Sequence, residues 1–461
     1  MSKIKLLSFS IILLLSGCVS LAPSYEQPAL PVPERFSLSK NALTEAPADL
    51  QDTGWREFFV DAALRELIET ALASNRDLRL AVIKLEQAKA QMGVTDAARA
   101  PALNAAGSNT YKGGLEGASG TTQTYALGAT LSFDLDFFGR LKNLSDAARE
   151  SYLASEASRR DVHILLVSQV AQAYFAQQRA IRQLALARET LHNYERAYSV
   201  IESQLRTGRT TVLALEQARG QIDSMRASIA QLSGSLAQAN NALSLVLGVW
   251  REAPAPSKTP EADLVPVKLP ANLSSQILLQ RPDIQQAEHL LRAANANIGA
   301  ARAAFFPSIT LTSALSLSSP ALSNLFSLGS AMWNFVPQIT APLFDAGKNT
   351  ANLRLMELKR DEAVVNYEQK IQSAFKEVSD TLVLRESLAS QIAARRAYLQ
   401  SLEVTLARAQ ALFAHGAVSY IEVLDAQRNV FTTEQTLVDL LYNQQINEIN
   451  LFTALGGGWS E

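Results

Sequence analysis

The chain states one pattern twice. Asn75-Arg76-Asp77 leads to Ala97-Ala98-Arg99-Ala100-Pro101, and Arg281-Pro282-Asp283 leads to Ala303-Ala304-Phe305-Phe306-Pro307. Asp77 and Asp283 lie 206 residues apart, as do Pro101 and Pro307. Leu135, Gly139, Gly208, Leu213 and Ala218 then return as Leu343, Gly347, Gly416, Ile421 and Ala426, each 208 residues later. A period this long marks a duplicated half-molecule, not a solenoid unit of about 20–50 residues. Each half reads helix, two strands, helix. Two such halves supply an even number of strands and matched helices to an assembly with rotational symmetry.

The chain ends narrow the compartment. Residues 1–17 read as a signal peptide, with basic Lys3 and Lys5, an apolar run from Leu6 to Leu15, and small Ser16 and Gly17 at the cleavage site. That run is too short to span a bilayer as a helix. Cys18 follows, the one cysteine of 461 residues. Leu15-Ser16-Gly17-Cys18 resembles the lipobox of bacterial lipoproteins, in which the Cys becomes the lipidated first residue of the mature chain. The plainer alternative is a secretory peptide with an incidental Cys, which as a lone residue has no internal disulfide partner. Val19 rather than Asp comes next, which in the bacterial sorting pattern points to the outer membrane. The net charge of −2 becomes −4 once Lys3 and Lys5 leave with the leader. No basic surplus or run of like charge points to nucleic acid. At 48% hydrophobic and 19% charged residues the chain is globular or membrane-associated, yet no apolar run past the leader is long enough for a membrane helix.

Residues 18–60 read as a Pro-rich arm, carrying Pro23, Pro28, Pro31 and Pro33. The first repeat spans 61–251, opening on a short amphipathic helix from Asp61 to about Ser74 that has a counterpart near Leu273 to Gln280. A linker with five prolines covers 252–272, the second repeat 273–456, and a tail 457–461. Arg140 to Arg206 and Lys348 to Ala414 are 67-residue stretches without proline. As helices each is about 100 Å long at about 1.5 Å per residue. Shorter helices are predicted over Asp77–Arg99, Arg209–Leu247, Asp283–Ala304 and Ala417–Leu455.

Strands are predicted at about 102–113, 122–137, 307–319 and 331–346. From Tyr125 the odd positions are Tyr125, Leu127, Ala129, Leu131, Phe133, Leu135 and Phe137, while the even ones are small or polar. Ile309, Leu311, Leu315 and Leu317 alternate with Ser308, Thr310, Thr312 and Ser316 in the same way. The pattern fits outer-membrane barrel strands, and it fits equally a soluble sheet buried on one face. In a barrel, four strands per chain are too few, since the smallest have about eight. Open edges are not tolerated in lipid, so two or more chains must share one barrel.

These residues resemble the TolC-like outer membrane efflux factor family, in its lipoprotein (NodT/OprM-like) branch. The matching stretches are the Cys18 lipobox, Trp55 with Asp61, Leu64, Leu67 and Ile68, and Ala71-Leu72 with Asn75, Asp77 and Leu78. They continue through Leu135-Asp136-Phe137-Phe138-Gly139-Arg140, Arg281-Pro282-Asp283-Ile284, Phe306-Pro307-Ser308 and Leu343-Phe344-Asp345 with Gly347. The last is Gly416 with Ile421-Glu422-Val423-Leu424-Asp425-Ala426-Gln427. The resemblance implies a mainly α protein with a membrane β-barrel. It implies a homotrimer sharing a twelve-stranded barrel in outer-membrane lipid, continued by a periplasmic α-helical tunnel. It also implies a periplasmic adaptor and an inner-membrane RND-type pump as partners. On that resemblance Cys18 is the lipidation site, and the hairpin tips at Gly208 and Gly416 dock the adaptor. Glu422 and Asp425, one turn apart, line the closed periplasmic aperture. Ser419 and Glu422 also form a capping-box pattern, so Glu422 is open between gate and helix cap. The aligned first-half residues, Ala214 and Gln217, are not acidic.

No catalytic constellation is present. His163, His192, His289 and His415 lack metal-ligand spacing, so no metal, cofactor or enzymatic activity is expected. The function implied is a passive duct for drugs or other small toxic compounds. Rival readings are a duct for type I protein secretion and a pore-less periplasmic structural lipoprotein.

Overall fold

The computed structural model describes residues 20–36, 54–113, 121–250 and 273–457. The signal peptide, Cys18, the linker 252–272 and nearly all of the tail lie outside the described residues. Two compact units are formed, each by several chain segments. One combines 83–157 and 285–370 with the start of the chain, the other 30–82, 158–284 and 371–461.

The first unit holds the strands. β1 (Ala102–Lys112), β2 (Thr122–Leu135), β3 (Ser308–Ser319) and β4 (Ala331–Thr340) form one antiparallel sheet in chain order. Its register settles which residues share a face. Leu131 lies opposite Leu103 on β1 and Ser313 on β3, and Ser313 lies opposite Phe335 on β4. Every cross-strand pair joins odd to odd or even to even positions, so parity alone assigns the faces. The odd face carries Leu103, Leu127, Leu131, Phe133, Leu135, Ile309, Leu311, Leu315, Trp333, Phe335 and Ile339. The even face is mostly Thr, Ser, Asn and Ala, with Asp134 and Lys112 near its two ends. At the β1–β2 turn the odd face becomes polar: the Gln123 side-chain amide donates to the Tyr111 and Tyr125 hydroxyls, each at 2.6 Å. β1 and β4 are solvent-exposed along their whole length, and each keeps one unpaired edge within the chain.

Two strands are shorter than their sequence pattern. β2 stops at Leu135 rather than 137, because Asp136 leaves the ladder to accept from the Lys142 amide at 2.7 Å. β4 stops at Thr340 rather than 346. Pro342 has no amide to donate, and Asp345 turns to accept from Gly347 and Asn349 at 3.0 and 2.9 Å. Each carboxylate thereby caps the helix that follows.

The arm crosses this unit as an extended segment held by polar contacts. Ser20 donates to the Asn143 Oδ1 at 2.7 Å, Asn295 Nδ2 to the Pro23 carbonyl at 2.8 Å, and the Tyr25 hydroxyl to Glu288 at 3.1 Å. The Arg292 guanidinium lies 4.9 Å over the Tyr25 ring. A Cβ added at Gly299 would stand 2.7 Å from both the Ala22 nitrogen and the Asn143 amide. Glycine there makes the seat.

The helices are α1 (Trp55–Phe58), α2 (Ala62–Ser74), α3 (Arg76–Ala97), α4 (Arg140–Arg206), α5 (Val212–Leu247), α6 (Pro282–Ala303), α7 (Lys348–Ala414) and α8 (Tyr420–Ala454). Both α4 and α7 run 67 residues. The predicted counterpart of α2 is a six-residue 3₁₀ turn, Ser275–Gln280. Arg281 precedes Pro282 and takes φ −64, ψ 133, since the proline ring disfavours the α region for the residue before it.

In the second unit Trp55, Phe58 and Phe59 are buried, and Phe58 stacks on Phe452 at 4.1 Å. Phe36 stacks on Phe375 at 4.6 Å. Arg281 ties the 3₁₀ turn to three helices: two bonds of 3.0 Å reach Asp283, one of 2.9 Å reaches Glu377, and one of 3.0 Å reaches the Ala454 carbonyl. Burial opposes its charge, while Asp283 and Glu377 outweigh that and push its pKa up. Among the described residues no helix is long and apolar enough to cross a membrane.

Candidate functional site

The two helix-to-helix tips are built alike. Gly208 takes φ +71 and Gly416 φ +74, the left-handed region that costs glycine nothing. Each closes its long helix with the same pair of bonds. Gly208 donates to the Leu205 carbonyl at 3.0 Å and Arg209 to Gln204 at 2.9 Å; Gly416 donates to Phe413 and Ala417 to Leu412, both at 2.9 Å. This is the Schellman arrangement. α5 and α8 therefore begin at Val212 and Tyr420, three residues later than predicted, after the N-caps Thr211 and Ser419. Thr211 accepts from the Ala214 amide at 3.3 Å.

Ser419 behaves differently, with no side-chain cap bond; the Glu422 amide donates to its carbonyl at 3.3 Å. The serine half of the capping box is thus absent, and the Glu422 side chain lies exposed on the first turn of α8. Asp425 stands one turn on, also exposed. Val423, Leu424 and Ala426 turn the opposite way, where Val423 and Leu424 pack with Ile201, Ala214, Ala218 and Tyr420. The acidic pair is the solvent face of a helix whose other face clamps the two hairpins together. Ala214, aligned with Glu422, is buried in that core, so the first hairpin presents no equivalent group.

The pattern of Glu422 and Asp425 extends to a third residue that sequence reasoning missed. Arg428 lies 3.6 Å from Asp425 and donates from Nε to Gln221 Oε1 at 3.1 Å. Its signal was the same three-residue step along the helix. An ion pair this exposed stabilises by about 0–1 kcal/mol and leaves Asp425 accessible to cations. Among the described residues no group of three or more His, Cys, Asp or Glu is placed to hold a metal. Cys18 lies outside the described residues, and Gly208 and Gly416 sit at separate tips, each beside its own hairpin.

A sheet with one apolar face, one hydroxylated face and two open edges, with long helical hairpins in the same chain, fits an outer-membrane channel, and the sequence comparisons give that class. By its sequence the chain belongs to the outer membrane efflux protein family, whose model matches residues 67–249 and 273–457. It is 63% identical over 461 residues to the probable outer membrane lipoprotein SilC of Salmonella typhimurium, covering 100% of both chains. It is 58% identical over 461 residues to the cation efflux system protein CusC of Escherichia coli O157:H7, again covering 100% of both. A crystal structure of CusC matches with a TM-score of 0.90 at 58% identity, covering 95% of this chain and 100% of that one. The chain is a channel component and not an enzyme.

Proposed function

We propose that the protein is the outer-membrane exit duct of a tripartite efflux pump, working as a homotrimer. The observation that carries this is the open four-stranded sheet with an apolar odd face. Four strands in up-down order leave β1 and β4 antiparallel, so β4 of one chain can pair with β1 of the next at every joint. Three chains give twelve strands, a ring wide enough for an aqueous lumen lined by the even positions. Transport through such a lumen is passive. The energy and the choice of substrate belong to an inner-membrane RND-type pump, reached through a periplasmic adaptor docked at the Gly208 and Gly416 tips. Cys18, as the lipidated mature N-terminus, anchors the arm to the inner leaflet.

The relative named as a cation efflux system protein supports cations as one exported class, beside the drugs or other small toxic compounds implied by the family resemblance. Glu422 and Asp425 would then form one double ring of six carboxylates at the periplasmic aperture, favouring cations over anions. Conductance of the purified protein in planar bilayers tests the duct. Cation-selective channels are expected, with selectivity and block by divalent cations weakened in Asp425→Ala and further in Glu422→Ala with Asp425→Ala. Mutant channels indistinguishable from wild type would remove the gate from these residues, and the absence of any channel would remove the duct. A deletion strain should gain sensitivity to toxic cations, inorganic or organic; unchanged tolerance of all of them would reject the substrate class.

A further inference from the structure

In the second unit, α4, α7 and α8 line an open groove of about 540 Å³, in which Tyr194 and Gln427 are buried while Glu189, Arg196 and Gln410 are exposed. That is the size of a small-molecule site. Glu189 of α4 and Glu434 of α8 line it, with Arg196 as its one basic lining residue, held at 2.6 Å by Asn193. Burial, together with the charges of Glu189 and of Glu403 on α7, pushes the Glu434 carboxyl above the usual carboxylate range. Two lining carboxylates face one lining cation, so the groove wall is net acidic.

A second observation points to an occupant. Gln427 lines the same groove, is 8% exposed, and its Oε1 has no hydrogen-bond partner. A buried carbonyl oxygen left this way costs about 1–3 kcal/mol, which a ligand N–H would recover. The carboxylates do not converge as metal ligands do: no cluster of three or more placed to hold an ion exists among the described residues. Charges spread along a groove fit separated ammonium groups better than one dehydrated ion. Leu186, Val200, Leu406 and Val430 offer apolar contact for methylene spacers, and Phe431 an aromatic face for a cation.

We propose that this groove binds an extended organic cation carrying two or more protonated amines, each near a carboxylate and one donating to Gln427. The proposal is separate from the duct reading and does not depend on the gate. Isothermal titration of spermidine into the full-length protein in nanodiscs tests it, at physiological ionic strength. Saturable binding is expected, weakened about ten-fold or more by Glu434→Gln and by Gln427→Leu, the loss that follows removal of a charge-assisted hydrogen bond. Glu216→Gln, on the exposed face of α5, should bind as wild type. If Glu434→Gln fails to fold, Gln427→Leu and Glu189→Gln carry the test. No saturable binding to the wild type would overturn the proposal. So would groove variants that bind normally, loss of binding in Glu422→Gln with Asp425→Asn instead, or displacement by magnesium chloride at equal charge.

Discussion

Arginine in place of Leu131 is the sharpest probe of the sheet's orientation. Leu131 occupies the middle of five odd-face apolar rows on β2, which run from Leu127 to Leu135. Four steps of two residues at about 3.4 Å make about 27 Å of strand, or about 21 Å of height at a tilt near 40°. That approaches the ~25 Å apolar band of outer-membrane barrels, with Tyr111, Gln123 and Tyr125 placed as its aromatic and polar border. Leu131→Arg therefore sits near the bilayer midplane, where a charge on the lipid face costs about 2–4 kcal/mol. That is about 30- to 700-fold in the folding equilibrium per chain, multiplied across every chain sharing the barrel. Thr130 lies between Asn104 and Ala314 on the opposite face, and Thr130→Arg should cost far less. Refolding into lipid vesicles, read by resistance of the assembled barrel to denaturant, measures both. Equal losses, or a larger loss at Thr130, would refute the assignment of faces.

Three further outcomes follow from the packing. Arg281→Ala should cost about 3–5 kcal/mol, because it strands the largely buried Asp283 and frees the end of α8; thermal unfolding measures it, and a loss under about 1 kcal/mol would contradict the role given to this residue. Gly299→Val should unseat the arm at an overpacking cost of about 1–3 kcal/mol, seen as faster hydrogen exchange at residues 21–25, whereas unchanged protection would mean the seat adapts. Glu434→Gln should raise the melting temperature at neutral pH. The folded state holds the Glu434 proton more tightly than the unfolded one, so its ionised form is destabilising above the folded pKa. Stability is regained as pH falls, fully so below the unfolded value. The mutant's advantage should accordingly shrink toward the ordinary carboxylate range, and a constant advantage at every pH would reject the titration.

Backbone geometry was the most legible part of the sequence. The glycines paired by the 208-residue offset, Gly139 with Gly347 and Gly208 with Gly416, all take positive φ. The repeat is thus a repeat of turns. Strand alternation also carried through, because the pleat ties parity to face and the observed register preserves it across all four strands. The strand ends misled where Asp136 and Asp345 switch from alternation to capping. Ser419 and Glu422 matched the capping pattern, yet the serine hydroxyl makes no cap bond. The arm's seat was invisible, since Asn295 and Pro23 are 272 residues apart and leave no local pattern. The groove at Gln427 and Glu434 was hidden likewise, being assembled from three helices whose residues look like ordinary helix surface.

A duct built on this sheet requires several copies of the chain to close one barrel. Electron cryomicroscopy of the full-length protein in lipid nanodiscs tests it directly. Three chains around one axis and a twelve-stranded barrel are expected, with β1 of each chain hydrogen-bonded antiparallel to β4 of the next and odd positions facing lipid. A ring of any other number of chains, or β1 and β4 edges left unpaired in the bilayer, would contradict it.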